Sequence, residues 1–128
     1  MKYMLLIYGN AEAWQDMYGP EREEVIRMHA DVVAELTARG ELVANQGLTT
    51  EGSAVVRFRE GALTTTDGPF SEAKEVLAGF YLIDVDDVER AKEIAAKLPE
   101  ARKSLIEVRR VMESQEVMDG VRGASTGG

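Results

Sequence analysis

Two stretches of this chain are apolar on both alternating sets of side chains, and that excludes most small folds. In Tyr3-Met4-Leu5-Leu6-Ile7-Tyr8, and again from Gly79 to Val85, odd and even positions alike carry large apolar groups. Phe80 and Leu82 share one face of the second stretch, and Tyr81, Ile83 and Val85 the other. A strand with one wet side alternates apolar with polar residues, so strands like these are covered twice. Helices of the same chain can cover one face. At 128 residues the chain is one domain by length, so the other face calls for a second copy of the sheet.

Around these strands the patterns alternate between helix and strand. Pro20 suits a first helical position, and Glu21, Glu23 and Glu24 complement the positive end of the helix dipole. Val25, Met28, Val32 and Leu36 then recur at helical spacing up to Gly40, which fits a C-terminal cap. The preceding Gly9 to Gly19 reads as a connection, whose Trp14, Met17 and Tyr18 either roof a pocket or pack onto the nearest apolar surface. Glu41 to Gly47 predicts a strand, and Ala54 to Arg59 with Ala62 to Thr66 a hairpin turned at Glu60-Gly61. Asp86 stands at capping-box spacing from Glu89, ahead of the apolar stripe Val88, Ala91, Ala95 and Leu98 of a second helix that Pro99 ends. Leu105 to Val111 is the last strand, with Ile106 and Val108 on one face and Leu105, Glu107, Arg109 and Val111 on the other. Residues 113–128 lapse into Gly, Ser, Thr and isolated charges, which predicts a disordered tail after a domain of residues 1–112. This order of elements is a ferredoxin-like α+β plan, a βαββαβ sandwich with an added hairpin and both helices on one face of an antiparallel sheet.

Composition narrows the function. A net charge of -8 and a pI near 4.7 argue against a broad nucleic-acid surface. Arg57, Arg59, Arg102, Lys103, Arg109 and Arg110 fall on strands and strand ends, as a local basic patch or as a solvated face. There is no Cys for a disulfide, a thiolate metal site or a thiol nucleophile. No apolar run approaches the roughly 18 residues of a membrane span, and the N-terminus lacks signal-peptide character, which predicts a cytoplasmic protein without membrane contact. No phosphate loop, nucleotide fingerprint or serine triad occurs, so no cofactor is expected.

Three groups of residues carry chemistry. His29, the sole histidine, projects into the apolar arc of its helix between Leu36 and Val33. It suits either proton transfer at neutral pH or a hydrogen-bonded place in the core, and one imidazole without further ligands makes no metal site. In Thr66 to Glu75, Gly68 and Pro69 specify a rigid loop, and Asp67 is a base or an Asx-turn residue. Phe70 is expected to pin that loop to the core, and Ser71 to cap a short helical turn through Val76. Tyr81, Glu107 and Arg109 are the substrate-binding candidates, in a pocket between the two sheets of a homodimer. The structural alternative makes Tyr81 dimer core and joins Glu107 to Arg109 as an ion pair.

Asp67-Gly68-Pro69-Phe70, then Glu72, Lys74 and Glu75, then Gly79-Phe80-Tyr81 and a closing Ile106-Glu107-Val108-Arg109 resemble the YCII-related family, in its DGPF-domain branch. The likeness runs from Met1 to about Met112. It implies a ferredoxin-like homodimer of the dimeric α/β-barrel type, whose biochemical function is largely unassigned. Some relatives resemble muconolactone isomerase, and a histidine on the first helix, matched by His29, is implied as an active-site residue. The resemblance also implies association with an extracytoplasmic-function sigma factor. Ala73 stands where the branch usually has Thr, Arg110 where it has Pro, and Gly9-Asn10 where some relatives carry an acid. A carboxylate for His29 is therefore expected from Asp67 or Glu12.

Two functions follow. One is a small-molecule enzyme of isomerase or lyase type, with His29 moving a proton, Asp67 orienting it or acting as a second base, and Arg109 with Tyr81 holding an anionic or enolic substrate. The other is a non-catalytic module whose loop and sheet face recognise a sigma factor.

Overall fold

The two doubly apolar strands lie side by side at the centre of the main sheet. In the computed structural model, which describes residues 1–70 and 75–127, β1 (Lys2–Gly9) pairs antiparallel with β5 (Val76–Asp84) and, on its other edge, with β6 (Leu105–Arg110). β2 (Leu42–Gly47) pairs with the outer edge of β5, giving the order β2-β5-β1-β6 of the ferredoxin-like α+β fold. β3 (Ala54–Arg59) and β4 (Ala62–Asp67) form the added hairpin as a separate two-stranded sheet.

Register decides which side chains become core. Leu5 faces Tyr81 on one neighbour and Val108 on the other, so Tyr3, Leu5, Ile7, Tyr81 and Ile83 share one face. Onto that face α2 (Arg22–Ala38) brings Val32 and Leu36, and α3 (Val88–Ala96) brings Ala91 and Ile94. Each large side chain removed from water there contributes about 1.5 to 3 kcal/mol. Met4, Leu6, Tyr8, Phe80 and Leu82 point to the opposite face and are half-buried, and Leu105 beside them is exposed.

Several local outcomes differ from the sequence expectation. Gly9 to Gly19 is not a bare connection: α1 (Ala11–Met17) forms because the Asn10 carboxamide oxygen accepts from the Ala13 N–H at 2.8 Å. Ala13 and Met17, one turn apart, then bury against Val25. The cap of α3 is Asp87, whose extended backbone lets its carboxylate accept from Arg90 N–H at 2.9 Å, and not Asp86. Past Pro99 a further turn, α4 (Glu100–Lys103), precedes β6, since proline fits the start of a helix as well as its end. Ser114–Gly127 is a helix, α5, where a disordered tail is expected. Arg110 forks onto Glu116 and Gln115 bonds Asp119, ties that composition alone does not reveal. Gly40, at φ +69°, does end α2, with the Glu41 N–H returning to Leu36 O at 2.8 Å.

The loop after β4 also differs. Phe70 is 46% exposed and lies under the Arg57 guanidinium, 5.2 Å from the ring centre, so it packs on the hairpin and not in the core. Gly68-Pro69 is a cis peptide, and Gly68 N–H bonds Ser53 O. The turn expected from Ser71 falls on residues 71–74, outside the described residues, and Val76 already belongs to β5.

Candidate functional site

His29 sits in mid-α2 on the side that meets the sheet, and Tyr81 points up at it from β5. The Tyr81 hydroxyl lies 2.7 Å from Nδ1 of His29, and the two rings are nearly parallel, with centres 5.9 Å apart. On the other side Nε2 lies 2.9 Å from Oε2 of Glu100, the first residue of α4. A carboxylate can only accept, so Nε2 carries a hydrogen. In the neutral imidazole Nδ1 then accepts from the Tyr81 hydroxyl. The chain Tyr81, His29, Glu100 is continuous, and Glu100 is nearly buried.

This chain lines a cavity of about 370 Å³. Trp14 and Tyr18 contribute from α1 and its C-terminal cap, and Asn45 and Gln46 from the end of β2. Trp14 packs so closely on Gly9 that a Cβ there would stand 2.2 Å from the indole nitrogen, and so only glycine leaves room for the ring. Asn10 holds this corner twice, capping α1 through its oxygen and donating its amide to both Glu75 oxygens, at 3.1 and 3.2 Å. Burial first, and then the negative charge of Glu100, push the Tyr81 hydroxyl up to about 12, and the same two causes push Tyr18 up. Tyr81 therefore stays a neutral donor across the physiological range.

The sequence-derived candidates divide among three places. His29 and Tyr81 meet, with Tyr81 on the helix-covered face and not on the face open to a second sheet. Glu107 and Arg109 stand on that opposite face, where Glu107 accepts from the Tyr8 hydroxyl at 3.3 Å; among the described residues no ion pair joins Glu107 to Arg109. Asp67 ends β4 and lines a different cavity, of about 400 Å³, with Arg57, Arg59 and Phe70. The expected carboxylate for His29 is thus supplied neither by Asp67 nor by Glu12, which is exposed on α1, but by Glu100. Its only trace in the sequence is an acid directly after Pro99. The contact spans 71 positions of chain, so no local pattern announces it.

The basic residues also scatter. Arg57 stacks on Phe70, Lys103 reaches Glu21 at 3.3 Å, and Arg110 forks onto Glu116. Among the described residues no group of three or more His, Asp or Glu is placed to hold a metal ion, and no helix is long and apolar enough to cross a membrane.

Residues 1–115 match the family model of the YCII-related domain. The chain is also 33% identical over 105 residues to an uncharacterized protein of Rhizobium meliloti (strain 1021), an alignment that covers 81% of this chain and 85% of that one.

Proposed function

The chain belongs to the YCII-related domain family, and we propose that it is a small-molecule enzyme of isomerase or lyase type that moves protons through Tyr81 and His29, with Glu100 holding the imidazole. The observation that carries this reading is the unbroken hydrogen-bond chain along the wall of a cavity. Both imidazole nitrogens are engaged, so His29 acts from behind Tyr81. As a substrate C–H or O–H gives its proton to the Tyr81 oxygen, the tyrosine's own proton passes to Nδ1. The imidazolium that forms donates from both nitrogens, to Tyr81 and to Glu100, and the carboxylate stabilises its charge. Reversal of these transfers returns the proton to another atom of the substrate, which is isomerisation, or expels a leaving group. Glu100 touches no reacting atom in this scheme and acts as a positioning residue.

Deuterium incorporation tests this at the level of reaction class. In D2O, small ketones and unsaturated lactones, cyclohexanone and butenolide among them, are incubated with the protein and followed by NMR. Exchange next to the carbonyl is expected, with a loss of about a hundredfold in His29→Gln and in Tyr81→Phe. Exchange of none of these compounds, or undiminished exchange in both variants, overturns the reading.

The half-buried apolar face of Met4, Leu6, Tyr8, Phe80 and Leu82 supports a homodimer joined sheet to sheet, because each such side chain left in water forfeits part of its burial energy. The alternative, a module that binds an extracytoplasmic-function sigma factor, draws on Val56, Phe58 and Leu63, which are 59 to 76% exposed on the hairpin. Co-purification with such a factor, retained in His29→Gln and lost in Phe58→Ser, is the result that favours it.

A further inference from the structure

The charge of the His29 cavity decides which molecules it admits. Its ionisable groups are His29, Glu100, Tyr18 and Tyr81, and among the described residues no Arg or Lys lines it. Glu100 is 6% exposed; its Oε2 is held by His29, while Oε1 is sealed from solvent without a hydrogen-bond partner. A carboxylate so incompletely satisfied, in a medium of low dielectric constant, repels a second anion and favours a donor or a cation. Tyr18 and Tyr81 report the same field, since after burial the charge of Glu100 is what opposes a tyrosinate at the wall. A bound carboxylate would be opposed for the same reason. The arginine expected to hold an anionic substrate, Arg109, lies on the other face of the sheet, and Arg57 and Arg59 line the hairpin cavity instead. Trp14 and Tyr18 offer aromatic faces, which accept cations and flat apolar bodies alike.

We infer that this cavity takes small uncharged or cationic molecules, and that it excludes carboxylates and phosphates. The inference deepens the acid–base reading and rests on it for the identity of the site. At about 370 Å³ the cavity is at the small end of the range for small-molecule sites.

Trp14 is the sole tryptophan and lines the cavity, so its fluorescence reports occupancy directly. Titration at neutral pH with cyclohexanol, cyclohexylamine and cyclohexanecarboxylate varies the charge on one ring. Saturable quenching is expected from the alcohol and the amine, with the carboxylate weaker by about tenfold or more. In Glu100→Gln that gap narrows by at least about threefold. A carboxylate that binds as well as the alcohol, no saturation by alcohol or amine, or an unchanged gap in folded Glu100→Gln overturns the inference. Should the variant not fold, the wild-type ranking decides by itself. Loss of the exchange reaction with this ranking intact removes the chemistry and leaves the selectivity standing. The converse removes the selectivity alone.

Discussion

A single hydroxyl closes the hydrogen-bond chain on the Nδ1 side of the imidazole. Tyr81 is 2% exposed, and its hydroxyl is the partner of His29 Nδ1 at 2.7 Å. Removing it in Tyr81→Phe leaves that nitrogen without a partner in a half-buried site, which costs about 1 to 3 kcal/mol in urea unfolding. The pH dependence has a definite sign. The folded pKa of Tyr81, about 12, lies above its ordinary value of 10.0, so its contribution is fully present below pH 10 and is lost as pH rises towards 12. Denaturation midpoints measured from pH 9 to 12 are expected to fall less steeply in Tyr81→Phe than in the wild-type protein. Tyr18, pushed up by the same causes, keeps the variant's slope from vanishing. Equal slopes would contradict the burial of this hydroxyl.

Between elements, the principal polar tie joins α2, β2 and α3. Glu41, 8% exposed and directly before β2, accepts from Arg39 Nε at 2.9 Å and from Arg90 Nε and Nη2 at 2.9 and 2.8 Å. Arg90 also reaches Glu35 on α2, which Lys97 holds from the end of α3. Hydrogen bonds from Arg90, and from Lys97 in the case of Glu35, keep both carboxyls below their ordinary value. Their stabilisation is therefore present above an ordinary carboxyl pKa of 4.5 and lost as pH falls through the lower folded values. Arg90→Met leaves Glu41 buried with only Arg39 as a partner and is expected to cost about 3 kcal/mol at neutral pH. The loss shrinks below about pH 4, where protonated carboxyls no longer need the guanidinium. Thermal melts of both proteins at neutral and acid pH test this, and a constant difference would sink it.

For the whole molecule, the open sheet face is the deciding surface. Leu6 lies on it, paired across the sheet with Phe80 and with Glu107, and away from the helices. Under the proposed sheet-to-sheet homodimer, Leu6→Glu brings a second carboxylate beside Glu107 and another into the facing copy. It is expected to yield a folded monomer, as read by light scattering and circular dichroism. A dimer unaffected by this change does not use that face. His29 and Tyr81 lie on the helix-covered side, so the exchange chemistry is expected to persist in the monomeric variant. A pocket enclosed between two sheets would instead be lost with the dimer.

Local periodicity was enough to order β1, α2, β2, β3, β4, β5, α3 and β6 and to place His29 inward, because alternation and helical spacing register burial wherever an element forms. It was also enough to separate the two faces of β6, with Glu107 and Arg109 together and Ile106 and Val108 opposite. What it could not reach is which face of the sheet meets which group. Tyr81 belongs with His29 and not with Arg109 because register turns it toward α2, and Glu100 closes the chain because the turn after Pro99 returns it to the middle of that helix. Asp67, alike in chemistry, is carried to the hairpin cavity instead. A sequence names the acids available to a histidine, but the choice among them is a matter of angstroms between residues far apart in the chain, and only the folded chain sets those.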